Sequence, residues 1–182
     1  MIVILWIALG LLAVASLLPK TSSRLMAAGW TAFSIYWFLQ TPYYAGIQDY
    51  FNVFLVITSG IIFLLLGYTA IKANQGSEAL LSLSRAASAG GLIYFVFASV
   101  DILNSALISL VTGQVTWIIE KFGFPVAQIS WNQLAVNGFI VEIILACTAI
   151  ESVALFTGLI ISAKGAAFDR KLKAFSVSVP VI

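Results

Sequence analysis

Apolar residues fill this 182-residue chain in long blocks separated by short polar stretches. Five blocks are long enough, or nearly so, to cross ~30 Å of hydrocarbon as helices. They are Ile2–Leu18, Leu25–Leu39, Asn52–Ile71, Ala86–Leu110 and roughly Thr148–Ala163. The second is short and the third is the cleanest. A sixth run, Ala174–Ile182, is too short to span at ~1.5 Å per residue and is expected to open a further span of a longer protein. The predicted fold class is an all-α, polytopic helical membrane protein with five full spans and the start of a sixth. Residues 1–182 are read as one transmembrane domain, incomplete towards its C-terminus.

Between the fourth and fifth spans the pattern changes. Val115, Ile118, Ile119 and Phe122 recur at helical spacing, which predicts a short amphipathic helix. Trp117 suits the headgroup level, so this helix is expected along the outer interface. Gly123-Phe124-Pro125 should end it, and Val126, Gln128, Ile129, Ser130 and Trp131 read as extended chain. Asn137-Gly138 is a strong turn dipeptide with apolar flanks. Phe139–Ala146, with Glu142 inside it, is therefore expected to be extended before span five. Ala73–Ser84 reads as a plain polar connection, and no repeat is evident.

Composition agrees with the blocks: 62% of residues are hydrophobic and 9% charged. Soluble domains carry roughly 45–50% apolar and 25% charged residues, so no soluble module is expected. Met1–Leu18 lacks a basic leader and a small-residue cleavage site, and reads as a retained span. Lys20 and Arg24, Lys72 and Arg85, then Lys164, Arg170, Lys171 and Lys173 fall in alternate loops and make up eight of the nine basic residues. The remaining one, Lys121, stands beside Glu120 in an opposite loop. The positive-inside rule then predicts a multi-pass protein of the cell membrane, with its N-terminus outside and Cys147 near the outer face. The formal charge of +2 lies in membrane loops and gives no indication of a nucleic-acid partner. A single cysteine excludes an internal disulfide, and the absence of histidine excludes a His-based metal site or catalytic dyad within these residues.

Cys147 is the main chemical candidate. It has two readings, a small buried hydrophobe or a membrane-embedded nucleophile. Thr148-Ala149-Ile150-Glu151 matches a capping box, in which Thr148 and Glu151 would start a helix at span five. Cys147 would then sit at a helix N-terminus, where thiols ionise more readily and are better nucleophiles. In a continuous helix, Cys147 and Glu151 would instead share a face. Asp101 and Asn104 share a face of span four, and an intramembrane carboxylate marks an ion path, a helix contact or a buried pair. Asp49 and Asn52 read as interface residues, and Gly90-Gly91 as a site of close helix packing.

The stretch Phe139-Ile140-Val141-Glu142-Ile143-Ile144-Leu145-Ala146-Cys147-Thr148-Ala149-Ile150-Glu151-Ser152 resembles the cysteine motif of the archaeosortase/exosortase family, most closely its archaeosortase branch. Gly91-Leu92-Ile93-Tyr94-Phe95, Gly113-Gln114-Val115-Thr116-Trp117 and Ser178-Val179-Pro180-Val181-Ile182 resemble the same branch and follow in order. The resemblance covers roughly the second half of the chain. It implies a cysteine transpeptidase with Cys147 as nucleophile; Thr148, Glu151 and Glu142 are read beside it as supporting residues, and no metal or cofactor is expected. Its partner arginines would be expected beyond Ile182; Arg170, in the basic inner loop, does not match them. The implied partners are exported proteins with a C-terminal hydrophobic tail, released through a thioester, and a membrane lipid as acceptor. Two other readings stay open: a transporter or channel subunit using Asp101, Asn104 and Glu142, or a non-enzymatic membrane scaffold.

Overall fold

The structure is a computed structural model describing residues 2–18, 22–72 and 77–181. Lys20, the first part of the polar connection (73–76) and Ile182 lie outside the described residues. The elements in chain order are α1 (Ile2–Leu17), α2 (Ser22–Phe38), α3 (Thr41–Gly46), α4 (Tyr50–Lys72), α5 (Glu78–Ser99) and α6 (Asp101–Lys121). A small sheet follows: β1 (Val126–Ser130), β2 (Gln133–Val136) and β3 (Phe139–Glu142). A 3-10 turn, Leu145–Thr148, then leads into α7 (Ile150–Ser162) and α8 (Phe168–Val181).

Helix dominates, as expected, but the expected span count does not follow. Three helices among the described residues, α4, α5 and α6, are long and apolar enough to cross a membrane; α1 and α7 are apolar but shorter. The main departure is at Ala86–Leu110, which the apolar pattern joins into one span. The chain breaks there at Val100 (φ −101°, ψ 104°), between the end of α5 and the start of α6. The reason is tertiary: α5 packs on α7 and α1, whereas α6 turns to the sheet and the 3-10 turn. The predicted interfacial helix is therefore the second half of α6, with Phe122 just past its end. Arg170, Lys171 and Lys173 are likewise the first half of α8, and the sixth apolar run its second half.

The bundle core lies between α1, α2, α4 and α5. Leu5, Leu9, Leu12 and Ala15 meet Met26, Ala27 and Trp30, and all are buried. Water-to-hydrocarbon transfer does not drive helix association inside a bilayer, so close backbone approach and polar bridges matter more. Both are present. A Cβ on Gly90 would lie 2.8 Å from the Ala154 carbonyl oxygen, so Gly90 allows α5 and α7 to touch. The Trp30 indole donates to the Ser84 hydroxyl at 3.0 Å, and the Ser34 hydroxyl to the Gly60 carbonyl at 2.7 Å.

Long-range contacts give the bundle two chemically distinct ends. Arg85 donates to the Ser16 carbonyl at 3.2 Å, and Lys164 pairs with Glu78. Gly67 on α4 faces Ala27 on α2, which brings Arg24 and Lys72 to that same end. Lys121 makes no ion pair with Glu120; its ammonium lies over the Trp117 ring, 5.8 Å from the centroid. At the opposite end, Asp49 precedes α4 and accepts from the Asn52 backbone N–H at 3.1 Å, as an N-cap does. The Asn52 side chain adds a second bond to Asp49 at 2.6 Å.

Candidate functional site around Cys147

The sheet grows from local turn chemistry. Asn137 (φ 50°) and Gly138 (φ 84°) both adopt positive φ, the requirement of the two-residue turn that suits hairpin twist. Val136 and Phe139 close the turn, and the ladder runs to Gln133 opposite Glu142. The Ile143 N–H continues it to the Asn132 carbonyl at 2.7 Å. Strand order β1-β2-β3 leaves β3 outermost. Leu134 anchors the sheet: it is buried with Ile108 of α6 and Ile143, backed by Val111, Val115 and Leu145.

Cys147 follows within this frame. It lies in the 3-10 turn, is exposed, and its backbone N–H is bound to the Ile144 carbonyl at 2.9 Å. The buried-hydrophobe reading of this thiol therefore does not describe the structure. The expected capping box does not form either. α7 starts at Ile150, its N-cap is Ala149, and no side chain caps it. The Thr148 hydroxyl donates backwards instead, to the Leu145 carbonyl at 2.6 Å. The cause is Ala149, whose left-handed backbone (φ 56°, ψ 7°) turns the chain between the 3-10 segment and α7. Thr148 thus fastens the turn that carries Cys147, and the N-cap lies one residue later than the motif suggested.

The two supporting carboxylates have separate partners. Glu142 accepts from the Asn132 side-chain amide at 3.0 Å, tying β3 to the turn between β1 and β2. Glu151, in the first turn of α7, contacts Tyr94 of α5 and lines a cavity of about 770 Å³. Aromatic side chains from α2, α4 and α5, including Trp30, Phe33, Phe63 and Phe95, form much of its wall. Cys147, Glu142, Asp101 and Asn104 are not among its lining residues. Asn132 and the contact of Tyr94 with Glu151 were not singled out by sequence. Asn132 had a signal in the polar Ser130–Gln133 interruption; the contact across α5 and α7 had none.

Comparison with known proteins gives two matches. The chain is 29% identical to archaeosortase A of Haloferax volcanii, over 87% of this chain and 58% of that protein. It is 24% identical to archaeosortase A of Natronomonas pharaonis, over 87% of this chain and 53% of that protein. No family model and no solved structure matches. The chain thus spans somewhat over half the length of the curated relatives it matches. An accessible cysteine ahead of an apolar helix thus stands in a chain that is similar, over most of its own length, to part of two archaeosortase A proteins.

Proposed function

We propose that this chain carries the nucleophile of a membrane-embedded cysteine transpeptidase, and that Cys147 is that nucleophile. The observation that carries the reading is the exposed thiol on a hydrogen-bonded turn, in a relative of archaeosortase A. The sulfur, as thiolate, attacks a backbone carbonyl carbon near the C-terminus of an exported protein. A C–S bond forms and the C–N bond breaks. The hydrophobic tail leaves as a free amine after taking a proton, and the protein remains as a thioester. An amine on a membrane lipid then attacks the thioester; a new amide forms and the thiol is regenerated.

Thr148 holds the turn through Leu145, Glu142 fastens β3 through Asn132, and Glu151 faces the cavity beside Tyr94. None of them is a cation, and the developing oxyanion needs positive charge or N–H donors. Arginines beyond Ile182 are proposed for that role. The collection of Arg24, Lys72, Arg85 and Lys164 at one end supports that end as cytoplasmic and the Cys147 end as external.

The test is to co-express the protein from its native gene with an exported reporter bearing a C-terminal hydrophobic tail, in wild-type and Cys147→Ala forms. Wild type should remove the tail and add a lipid-sized mass to the reporter; the variant should do neither while remaining in the membrane. Identical reporter masses from both strains, across several reporters, would remove Cys147 from the chemistry.

A further inference from the structure

We propose that the outer edge of β3 is the docking site for the substrate's backbone, so that an extended polypeptide segment adds to the sheet as a fourth strand. The inference rests on the transpeptidase reading and assigns how the scissile segment reaches Cys147.

The argument begins with hydrogen-bond parity. In an antiparallel pair, residues alternate between exchanging both backbone bonds with the partner and pointing those groups the other way. A two-residue turn is closed by a bonded pair, here Val136 and Phe139. Val141 opposite Leu134 is then the next bonded position, followed by Ile143, whose N–H indeed reaches the Asn132 carbonyl at 2.7 Å. Ile140 and Glu142 are the intervening residues. Their N–H and C=O groups point away from β2, and no strand lies beyond β3 among the described residues.

This edge is also unguarded. Proteins protect exposed strand edges with lysine, proline, bulges or a covering element. The sequence Phe139-Ile140-Val141-Glu142 has neither lysine nor proline, and the irregularity in the sheet falls in the β1–β2 pair, between Gln128 and Ser130. All four β3 residues are exposed, Phe139 at 76% and Ile140 at 68%. The one charge on the strand, Glu142, is engaged by Asn132 across the hairpin.

The occupant follows from that chemistry. Donors and acceptors alternating along an extended line are matched by another extended backbone, as in strand addition. Exposed apolar side chains on β3 suit residues next to a hydrophobic tail. The chain also runs from Glu142 to Cys147 without leaving this end of the fold: Ile143 completes the ladder, and the next three residues lead into the thiol's turn. A segment paired with β3 is thus aligned with the polypeptide that carries the nucleophile.

The experiment uses the protein expressed from its native gene and the tailed reporter, with wild type, Cys147→Ala and Ile140→Pro compared. Proline at this position removes an outward N–H and no bond of the β2–β3 ladder, which edge strands tolerate. Processing by Ile140→Pro should fall roughly fivefold, the equivalent of one net hydrogen bond, with the amount of protein in the membrane unchanged. In parallel, photoreactive benzoylphenylalanine replaces Ile140 in the Cys147→Ala background, and Ile129 of β1 in a control. An adduct with the reporter from position 140 and none from 129 is expected. If Ile140→Pro lowers protein levels, the crosslink decides. Full-rate processing by a stable Ile140→Pro protein overturns the docking edge, as does a crosslink from position 140 to a second copy of the chain. Absence of cysteine-dependent processing in wild type is a separate result, and it sinks the transpeptidase reading instead.

Discussion

Trp30 and Leu134 are each about 1% exposed, yet they anchor very different neighbourhoods. Trp30 stacks on Phe63 at 5.5 Å, meets Phe33 edge-on at 6.2 Å, and bonds Ser84 through its indole. Around it α1, α2 and α4 contribute a broad, continuous set of buried side chains. Leu134 has only Ile108 and Ile143 as fully buried company, and the sheet above it exposes every residue of β3. The candidate nucleophile belongs to the second neighbourhood. Local stability follows the density of buried contacts, and binding segments are drawn from its lower end. The bundle is therefore the scaffold, and the sheet and turn are the part able to receive another chain.

The comparison can be broken by substitution. Trp30→Ala should cost about 3–5 kcal/mol and unfold the bundle as a unit, read as a large fall in Tm of the protein in detergent. Leu134→Ala should cost about 2–5 kcal/mol but release mainly the sheet. Hydrogen exchange would then speed up over residues 126–143 while α1, α2 and α4 stay protected. Uniform acceleration in both variants would mean that bundle and sheet form one cooperative unit.

The smallest effect is expected at Asp49, on the end of the bundle opposite Arg24 and Lys72. Hydrogen bonds from the side chain and backbone of Asn52 hold its carboxyl below the usual value near 3.8. A carboxylate with a lowered folded pKa contributes stability above its unfolded value and loses it as pH falls through the folded one. Wild type should therefore show a slightly steeper loss of Tm below about pH 4 than Asp49→Asn, whose side chain still caps a helix. Superimposable pH profiles would remove Asp49 from the stability of α4.

Much of the sheet region was legible, because turn chemistry is local. Asn137-Gly138 specified the hairpin, and Gly123-Phe124-Pro125 marked the end of α6. The break at Val100 was not legible. No glycine or proline interrupts the sequence there, and the bend follows from the different partners of α5 and α6. Hydropathy counts apolar residues but cannot see which neighbour claims them. Thr148 and Glu151 show the same limit from another side. Their spacing fits a cap, yet a left-handed Ala149 redirects the hydroxyl to Leu145 and turns the carboxylate to the cavity. The cavity itself gathers side chains from five helices, and no single segment announces it.

Ala149 has one more consequence. Left-handed backbone is uncommon for any residue with a Cβ, and alanine is the strongest helix former. Left to local preference, position 149 would relax to the right-handed region and weld the 3-10 turn onto α7. Residues 147 and 151 would then stand one above the other on a single helical face, and a carboxylate stacked on a sulfur resists negative charge developing there. The bend keeps that register from forming. One residue of the wrong handedness keeps the thiol's turn and the first turn of α7 from merging into a single helix.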